Sequence, residues 1–352
     1  MSYLHKQSIL FVGSQYLGHK PDDGETMKNQ VLSNAFERLG LIVYRIDVRN
    51  RWQRLFYLIK YLLCLIFIRD AKLIFSASSF VTYPMLKIAK SLGWNGRSIY
   101  YWVIGGNYAN YVEEGRIPPD LYLDLRQIIV EGKPMKMKLE RLGYNNVMIL
   151  PNFKDIDYIP DKPLGVSSKI KFVFLSRVMP QKGVDYILDA AKKLTDEGCT
   201  NFSVDIYGRI DPGYEKDFLW KIKQHRNVFY KGFLNLEHHS GYDTLASYDI
   251  MLFPTYWEGE GFPGIIIDAF IAGLPIIATD WNLNRSLIKN EENGLVIPVH
   301  DVPALASSMR NIIDGSVDIK RLSDNCKKSA SLYDANMIVN KELLASLGIV
   351  NS

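Results

Sequence analysis

Twice along the chain, apolar runs of strand length alternate with longer stretches of helical periodicity. The runs are 8–12, 42–46, 73–76, 98–103, 127–130 and 147–150 in the first half, then 171–175, 203–207, 228–230, 250–253, 275–278 and 294–297. Helical patterns lie between them, including 26–39, 81–92 and 133–142. This alternation predicts parallel α/β layering, since strands covered on both faces by crossover helices read as near-continuous apolar runs. At 352 residues the chain exceeds what one core usually fills. The stretch Pro160-Asp161-Lys162-Pro163-Leu164-Gly165 reads as a linker. Two parallel α/β domains are therefore expected over 1–160 and 161–329, followed by a closing segment, 330–352, that is helical over 330–347.

Residues 256–275 read YWEGEGFPGIIIDAFIAGLP. Glu260 and Asp268 stand with seven residues between them across a glycine-rich turn into a helix. Gly261, Phe262, Pro263, Gly264 and Ile265 form that turn, where glycine permits close backbone approach to a ligand and proline suits a first helical turn. Free N–H groups at 264–266 and the helix dipole would face an anion, with Asp268 one turn further in. Glu258 is a rival for the first acid, but only Glu260 has that spacing. Residues 172–191, FVFLSRVMPQKGVDYILDAA, place Arg177 and Lys182 between a strand and an amphipathic helix. An arginine fork and a lysine point charge at one strand end can clamp a diphosphate. The plainer reading is a buried helix behind an ordinary loop, with two solvated cations.

The order of these features resembles retaining glycosyltransferases of family 4, which have the GT-B fold. Val147-Met148-Ile149-Leu150-Pro151-Asn152-Phe153 is similar to the family's strand before the interdomain linker. Arg177 and Lys182 match its phosphate-binding pair, and Gly232 sits in a similar glycine-ended strand. Glu260 and Asp268 fall on its Glu-seven-residues-Glu motif, with Asp in place of the second Glu. The resemblance implies two Rossmann-like domains facing a cleft, the terminal helix crossing back to the first. It also implies transfer of a sugar, with retention, from a nucleoside-diphosphate sugar (UDP favoured) to a glycan or lipid-linked glycan. No cofactor or metal is implied. Glu260 would hold the sugar and Asp268 the ribose, with Gly13 and Gly208 at strand ends completing the donor set. The family's first-domain histidine has no counterpart in Tyr100–Asn107. Gly105, Gly106 and Asn107 are left to approach the sugar or acceptor, and His19 is the only loop histidine available there.

Three other readings compete. The loop Gly13-Ser14-Gln15-Tyr16-Leu17-Gly18 follows a strand but lacks the middle glycine of a dinucleotide fingerprint, and Asp47 would have to serve as its ribose acid. An NAD-linked enzyme is therefore disfavoured, and the loop is expected to face the acceptor. Asp155-Ile156-Asp157 has metal-bridging spacing, although a solvated pair before the linker explains it as well. Adjacent His238 and His239 diverge on any regular element. A GT-B-like protein that binds nucleotide sugar without turnover is the third reading. Three widely spaced cysteines form neither a disulfide framework nor a metal pair. No leader layout and no apolar run of ~20 residues is evident, so a cytoplasmic protein is expected.

Charge is polarised. Residues 1–160 carry 21 Lys and Arg against 14 Asp and Glu, net +7, and 161–352 carry 21 against 24, net −3. No nucleic-acid motif accompanies the basic half. Within it, Arg45, Arg49, Arg51 and Arg54 lead into 52–68, where Trp52, Leu55, Phe56, Ile59, Leu62, Leu63 and Ile66 recur at helical spacing. Two expectations stand for this segment: peripheral contact with an anionic membrane, or a core helix packed on the first sheet.

Overall fold

A computed structural model describes residues 7–15, 24–49, 53–161 and 169–350. The chain divides into two compact units, Met1–Asp155 with Tyr333–Ser352, and Ile156–Leu332. The division precedes the proline-bounded stretch read as linker, of which 162–165 lie outside the described residues.

In the first unit the order is β1 (Ser8–Gly13), α1 (Gly24–Arg38), β2 (Ile42–Asp47), α2 (Arg54–Phe67), β3 (Lys72–Ser76), α3 (Ser79–Ser91), β4 (Ile99–Trp102), α4 (Tyr108–Glu113), β5 (Gln127–Val130), α5 (Lys133–Arg141) and β6 (Val147–Ile149). All six strands are parallel, in the order β2-β1-β3-β4-β5-β6. Pleating sends Tyr101 to one face, among Tyr61, Leu65 and Phe75. Tyr100 and Trp102 go to the other, with Phe11 and Phe36.

The carboxyl-terminal segment completes that second face. Leu343, Leu344 and Leu347 pack into it, and the Tyr100 hydroxyl donates to the Leu347 carbonyl at 2.8 Å. The single helix expected over 330–347 is broken into short turns, α13 (Ala335–Ile338) and α14 (Lys341–Leu347). The Asp334 and Asn340 side chains accept from the N–H groups of Asn336 and Leu343. Each thereby starts a new helix rather than continuing the old one, because short polar side chains compete for backbone donors.

The second unit comprises β7 (Ile170–Leu175), α6 (Val184–Asp196), β8 (Phe202–Tyr207), α7 (Glu215–Ile222), β9 (Val228–Gly232), α8 (His239–Ala246), β10 (Ile250–Phe253), α9 (Gly264–Ile271), β11 (Ile276–Thr279), α10 (Asn284–Leu287), β12 (Gly294–Ile297), α11 (Val302–Ile313) and α12 (Ile319–Ala330). Its parallel sheet runs β12-β11-β10-β7-β8-β9. From β7 the chain winds outward through β8 and β9, then returns to β10 on the other side. The carboxyl ends of β7 and β10 therefore flank the point where winding reverses, where open α/β sheets form ligand crevices.

The Asp155-Ile156-Asp157 carboxylates have separate partners. Asp155 accepts from Arg38 of α1 at 2.8 Å, and Asp157 lies 3.8 Å from His239 Nε2.

Candidate functional site

Beyond β7 and β8 the two chains stay paired. Ser176 N–H donates to the Tyr207 carbonyl and Val178 N–H to that of Arg209. Val178 is fully buried, so strand alternation turns Arg177 outward. Arg177 is exposed, and no hydrogen bond or ion pair engages it among the described residues. The pairing depends on Gly208. Its φ is +140°, and an added Cβ would stand 1.7 Å from the Ser176 carbonyl oxygen.

Five residues on, Lys182 ends a short 3-10 turn and Gly183 begins α6 with φ +83°. A Cβ on Gly183 would meet the Pro254 carbonyl oxygen at 2.1 Å, so the loop after β10 lies directly against the start of α6. Tyr256 N–H donates to the Gln181 carbonyl at 2.9 Å, tying the two loops. Lys182 Nζ consequently donates to Glu260 Oε2 at 2.5 Å, with the side chains 13% and 11% exposed. Thr255 Oγ1 donates to the same carboxylate oxygen at 3.1 Å. The Glu260 carbonyl accepts from Asn282, which holds a left-handed φ of 50°. Trp281 Nε1 donates to the Trp257 carbonyl at 2.8 Å. The acidic loop is thus pinned from both sides.

After this loop, Phe262 and Pro263 are buried while Gly261, Gly264 and Ile265 are half-buried. Pro263 precedes the first turn of α9 and offers no side-chain cap. Ile266 N–H donates to the Pro263 carbonyl at 3.1 Å. Among the described residues the expected three free donors therefore reduce to those of Gly264 and Ile265, because the first turn tightens toward 3-10 geometry. Asp268 is buried, and Tyr242 of α8 donates to its Oδ1 at 2.7 Å. Burial first, and the neighbouring Asp268 charge second, push the Tyr242 phenol far above its usual range, so it is held as a donor.

The expected site residues thus fall into groups. In the second unit Arg177, Lys182, Gly208, Glu260, the 261–265 turn and Asp268 share the carboxyl edge of one sheet, with Lys182 and Glu260 in contact. Gly13, Gly105, Gly106 and Asn107 belong to the first unit. Gly13 ends β1, and its Cβ would meet the Ser76 carbonyl oxygen at 2.4 Å, so the packing of β1 on β3 demands the glycine. Gly105, with φ +83°, leads with Gly106 and Asn107 from β4 into α4. His19 lies outside the described residues. Asp47 Oδ1 accepts from the N–H groups of Gln15 and Arg49, closing its own turn. Thr255, Asn282 and Tyr242 were not anticipated. Thr255 follows the apolar strand β10 by two residues and precedes Glu260 by five, which is a usable signal, but nothing local marks Tyr242, since only packing of α8 on α9 brings it to Asp268.

Residues 169–315 match the sequence family described as "Glycosyl transferases group 1". Two solved structures superimpose over nearly the whole chain: Anabaena HepE in complex with UDP-glucose (TM-score 0.73, 15% identity, 97% of this chain and 100% of that one), and the sucrose-phosphate synthase of Thermosynechococcus elongatus (TM-score 0.75, 14% identity, 97% and 98%). The fold is GT-B. Residues 169–315, all within the second unit, are thus similar to group 1 glycosyl transferases, while the solved structures show the fold alone. Among curated proteins, the Escherichia coli "UDP-Gal:alpha-D-GlcNAc-diphosphoundecaprenol alpha-1,3-galactosyltransferase" is 25% identical over 212 residues, covering 59% of this chain and 52% of that one. The chain spans about half the length of the curated relatives it matches.

Proposed function

We propose that this protein is a retaining glycosyltransferase of family 4, moving a sugar from a nucleoside-diphosphate sugar to a glycan or lipid-linked glycan in bacterial surface polysaccharide synthesis. The observation that carries the reading is the Lys182–Glu260 contact at the winding reversal of the second sheet, with the unengaged Arg177 on the adjoining loop. A phosphate-seeking cation and a hydroxyl-seeking carboxylate stand where a phosphosugar bond would have to lie. UDP is the favoured nucleotide, supported by the UDP-glucose of the HepE complex. The diphosphoundecaprenol in the name of the galactosyltransferase supports a lipid-linked acceptor.

Cleavage of the bond from the anomeric carbon to the β-phosphate oxygen makes the sugar oxocarbenium-like and leaves negative charge on the diphosphate. Arg177, Lys182 and the Gly264 and Ile265 N–H groups take up that charge. Lys182 turns from Glu260 to the phosphate, which frees Glu260 for the sugar hydroxyls. Asp268, oriented by Tyr242, accepts from the ribose. The acceptor oxygen bonds to the anomeric carbon on the face the diphosphate leaves, and its proton passes to the departing β-phosphate oxygen. Charge neutralisation by these groups calls for no metal ion.

Hydrolysis of a nucleotide-sugar panel, with product configuration followed by NMR, tests this. The expectation is release of diphosphate from one or a few donors with the anomeric configuration kept, unaffected by EDTA and lost in Glu260→Gln. An inverted product, or no donor turned over by folded protein, would refute it.

A further inference from the structure

The first sheet has a winding reversal of its own. From β1 the chain steps out to β2 and then returns to β3 on the other side. The carboxyl ends of β1 and β3 therefore flank a crevice equivalent to that at β7 and β10. Asn29 of α1 braces it: its Nδ2 donates to the Ser14 and Ser76 carbonyls at 3.0 and 2.8 Å, and Ser76 Oγ donates to its Oδ1 at 2.5 Å. Polar side chains crowd this edge of an otherwise apolar sheet, and Ser14, Gln15, Lys28 and Asn29 are all buried.

Two groups here are left with hydrogen-bonding capacity unused. Glu25, in the first turn of α1, is half-buried, and Ser14 Oγ donates to its Oε1 at 2.8 Å. Among the described residues no cation pairs with Glu25, and its Oε2 accepts from nothing. Lys28 lies one turn on along the same face of α1, yet it is committed to Glu131, directly after β5, at 2.6 Å. Burial pushes the Glu25 carboxyl above its usual range, opposed only by the Ser14 hydrogen bond. Gln15, the next residue after Ser14, is 6% exposed. Its backbone N–H donates to Asp47 Oδ1 at 3.3 Å, but its side-chain Nε2 meets no partner among the described residues. A buried donor without an acceptor is costly, and so is a desolvated carboxylate without a cation.

We propose that this crevice is a second sugar site, in which Glu25 accepts a hydrogen bond from a non-reacting hydroxyl of the acceptor glycan and Gln15 donates to the same sugar. That the sugar is the acceptor rests on the transferase reading; that the crevice binds one does not. The ligand class follows from what each group can exchange. A phosphate brings acceptors only and would face the Glu25 charge. An ammonium brings donors only and would leave Gln15 Nε2 unmatched. A sugar hydroxyl both donates and accepts, so it answers both groups. Glu25 holds a hydroxyl other than the reacting one, because the reacting proton passes to the departing phosphate and a carboxylate beside it would compete. By fixing one hydroxyl, Glu25 selects which other is presented for transfer.

Saturation-transfer NMR on the full chain tests this, with the methyl glycopyranosides of glucose, galactose, mannose and N-acetylglucosamine as probes, alongside donor hydrolysis by the parent in water. The parent should bind at least one glycoside. Glu25→Gln should weaken that binding ~10-fold or more and Gln15→Leu about fivefold, both with unchanged circular dichroism. Gln15→Leu should also melt about 2–4 °C above the parent, since an unmatched buried donor is removed, whereas a structural amide would make it melt lower. A parent that binds no glycoside, variants that bind as the parent does, or displacement of the glycoside by inorganic phosphate would each overturn the proposal. A parent that binds glycoside as expected but hydrolyses no donor would count against the transferase reading instead, and the sugar site would stand.

Discussion

Lys182→Met removes one partner of a nearly buried ion pair, and the structure sets the scale of the loss. Unit charges ~4 Å apart attract by about 4 kcal/mol at an effective dielectric of 20. Most of that offsets the cost of taking both groups out of water, so the pair itself adds little net stability. Deleting one partner is different, because the stranded charge keeps its desolvation cost, typically ~3–5 kcal/mol. Here the side chains retain 13% and 11% exposure, and Glu260 keeps the Thr255 hydroxyl as donor. A loss of ~2–3 kcal/mol is therefore expected. In a unit of this size that lowers the melting transition by about 4–10 °C, readable by calorimetry on the full protein. Lys182→Met/Glu260→Gln should recover most of the loss, since no charge is then stranded, and should remain inactive because both proposed roles are gone. A single variant melting within about 1 °C of the parent, with the double variant no better, would mean that the pair does not form in solution.

Arg177→Ala should leave the melting temperature unchanged, because the side chain is exposed and engaged by no described residue. It should nonetheless cut turnover by ~10² or more, the scale for losing one preorganised donor to developing charge. Asp268→Asn should weaken binding of the bare nucleoside diphosphate by roughly 1–3 kcal/mol in calorimetry, whereas Glu260→Gln should leave that binding largely intact; equal losses would contradict the division of roles. Tyr242→Phe should weaken the same binding by ~0.5–1.5 kcal/mol by releasing the Asp268 carboxylate, and an unchanged dissociation constant would remove Tyr242 from the site. Gly208→Ala should destabilise the protein and slow donor hydrolysis, because its Cβ would collide with the Ser176 carbonyl beside Arg177; parental melting and turnover would show that the two loops separate freely.

The strands were legible in the sequence because a strand covered on both faces has to be apolar along its whole length. All twelve runs overlap strands, and 127–130, 250–253 and 294–297 match β5, β10 and β12 residue for residue. Arg177, Lys182, Glu260 and Asp268 could be singled out in the sequence by their spacing about a strand end and a glycine-rich turn, and the structure brings two of them, Lys182 and Glu260, into contact. The continuous helix expected over 330–347 was not correct, because periodicity carries through Asp334 and Asn340 while their side chains restart the helix locally.

Which charge meets which was decided only by tertiary structure. Lys182 and Glu260 touch because β10 pairs beside β7, with the whole of β8 and β9 between them in the chain. Tyr242 finds Asp268 because α8 packs on α9. For residues 52–68 the sequence left two readings open, and the fold assigns one arc of α2 to the core and leaves the opposite arc in water. A helix apolar all round cannot reveal by its own periodicity which side the sheet will cover. Local pattern reports the period of an element and the chemistry it carries, whereas neighbours are set by strand order, and strand order follows from the packing of the whole chain.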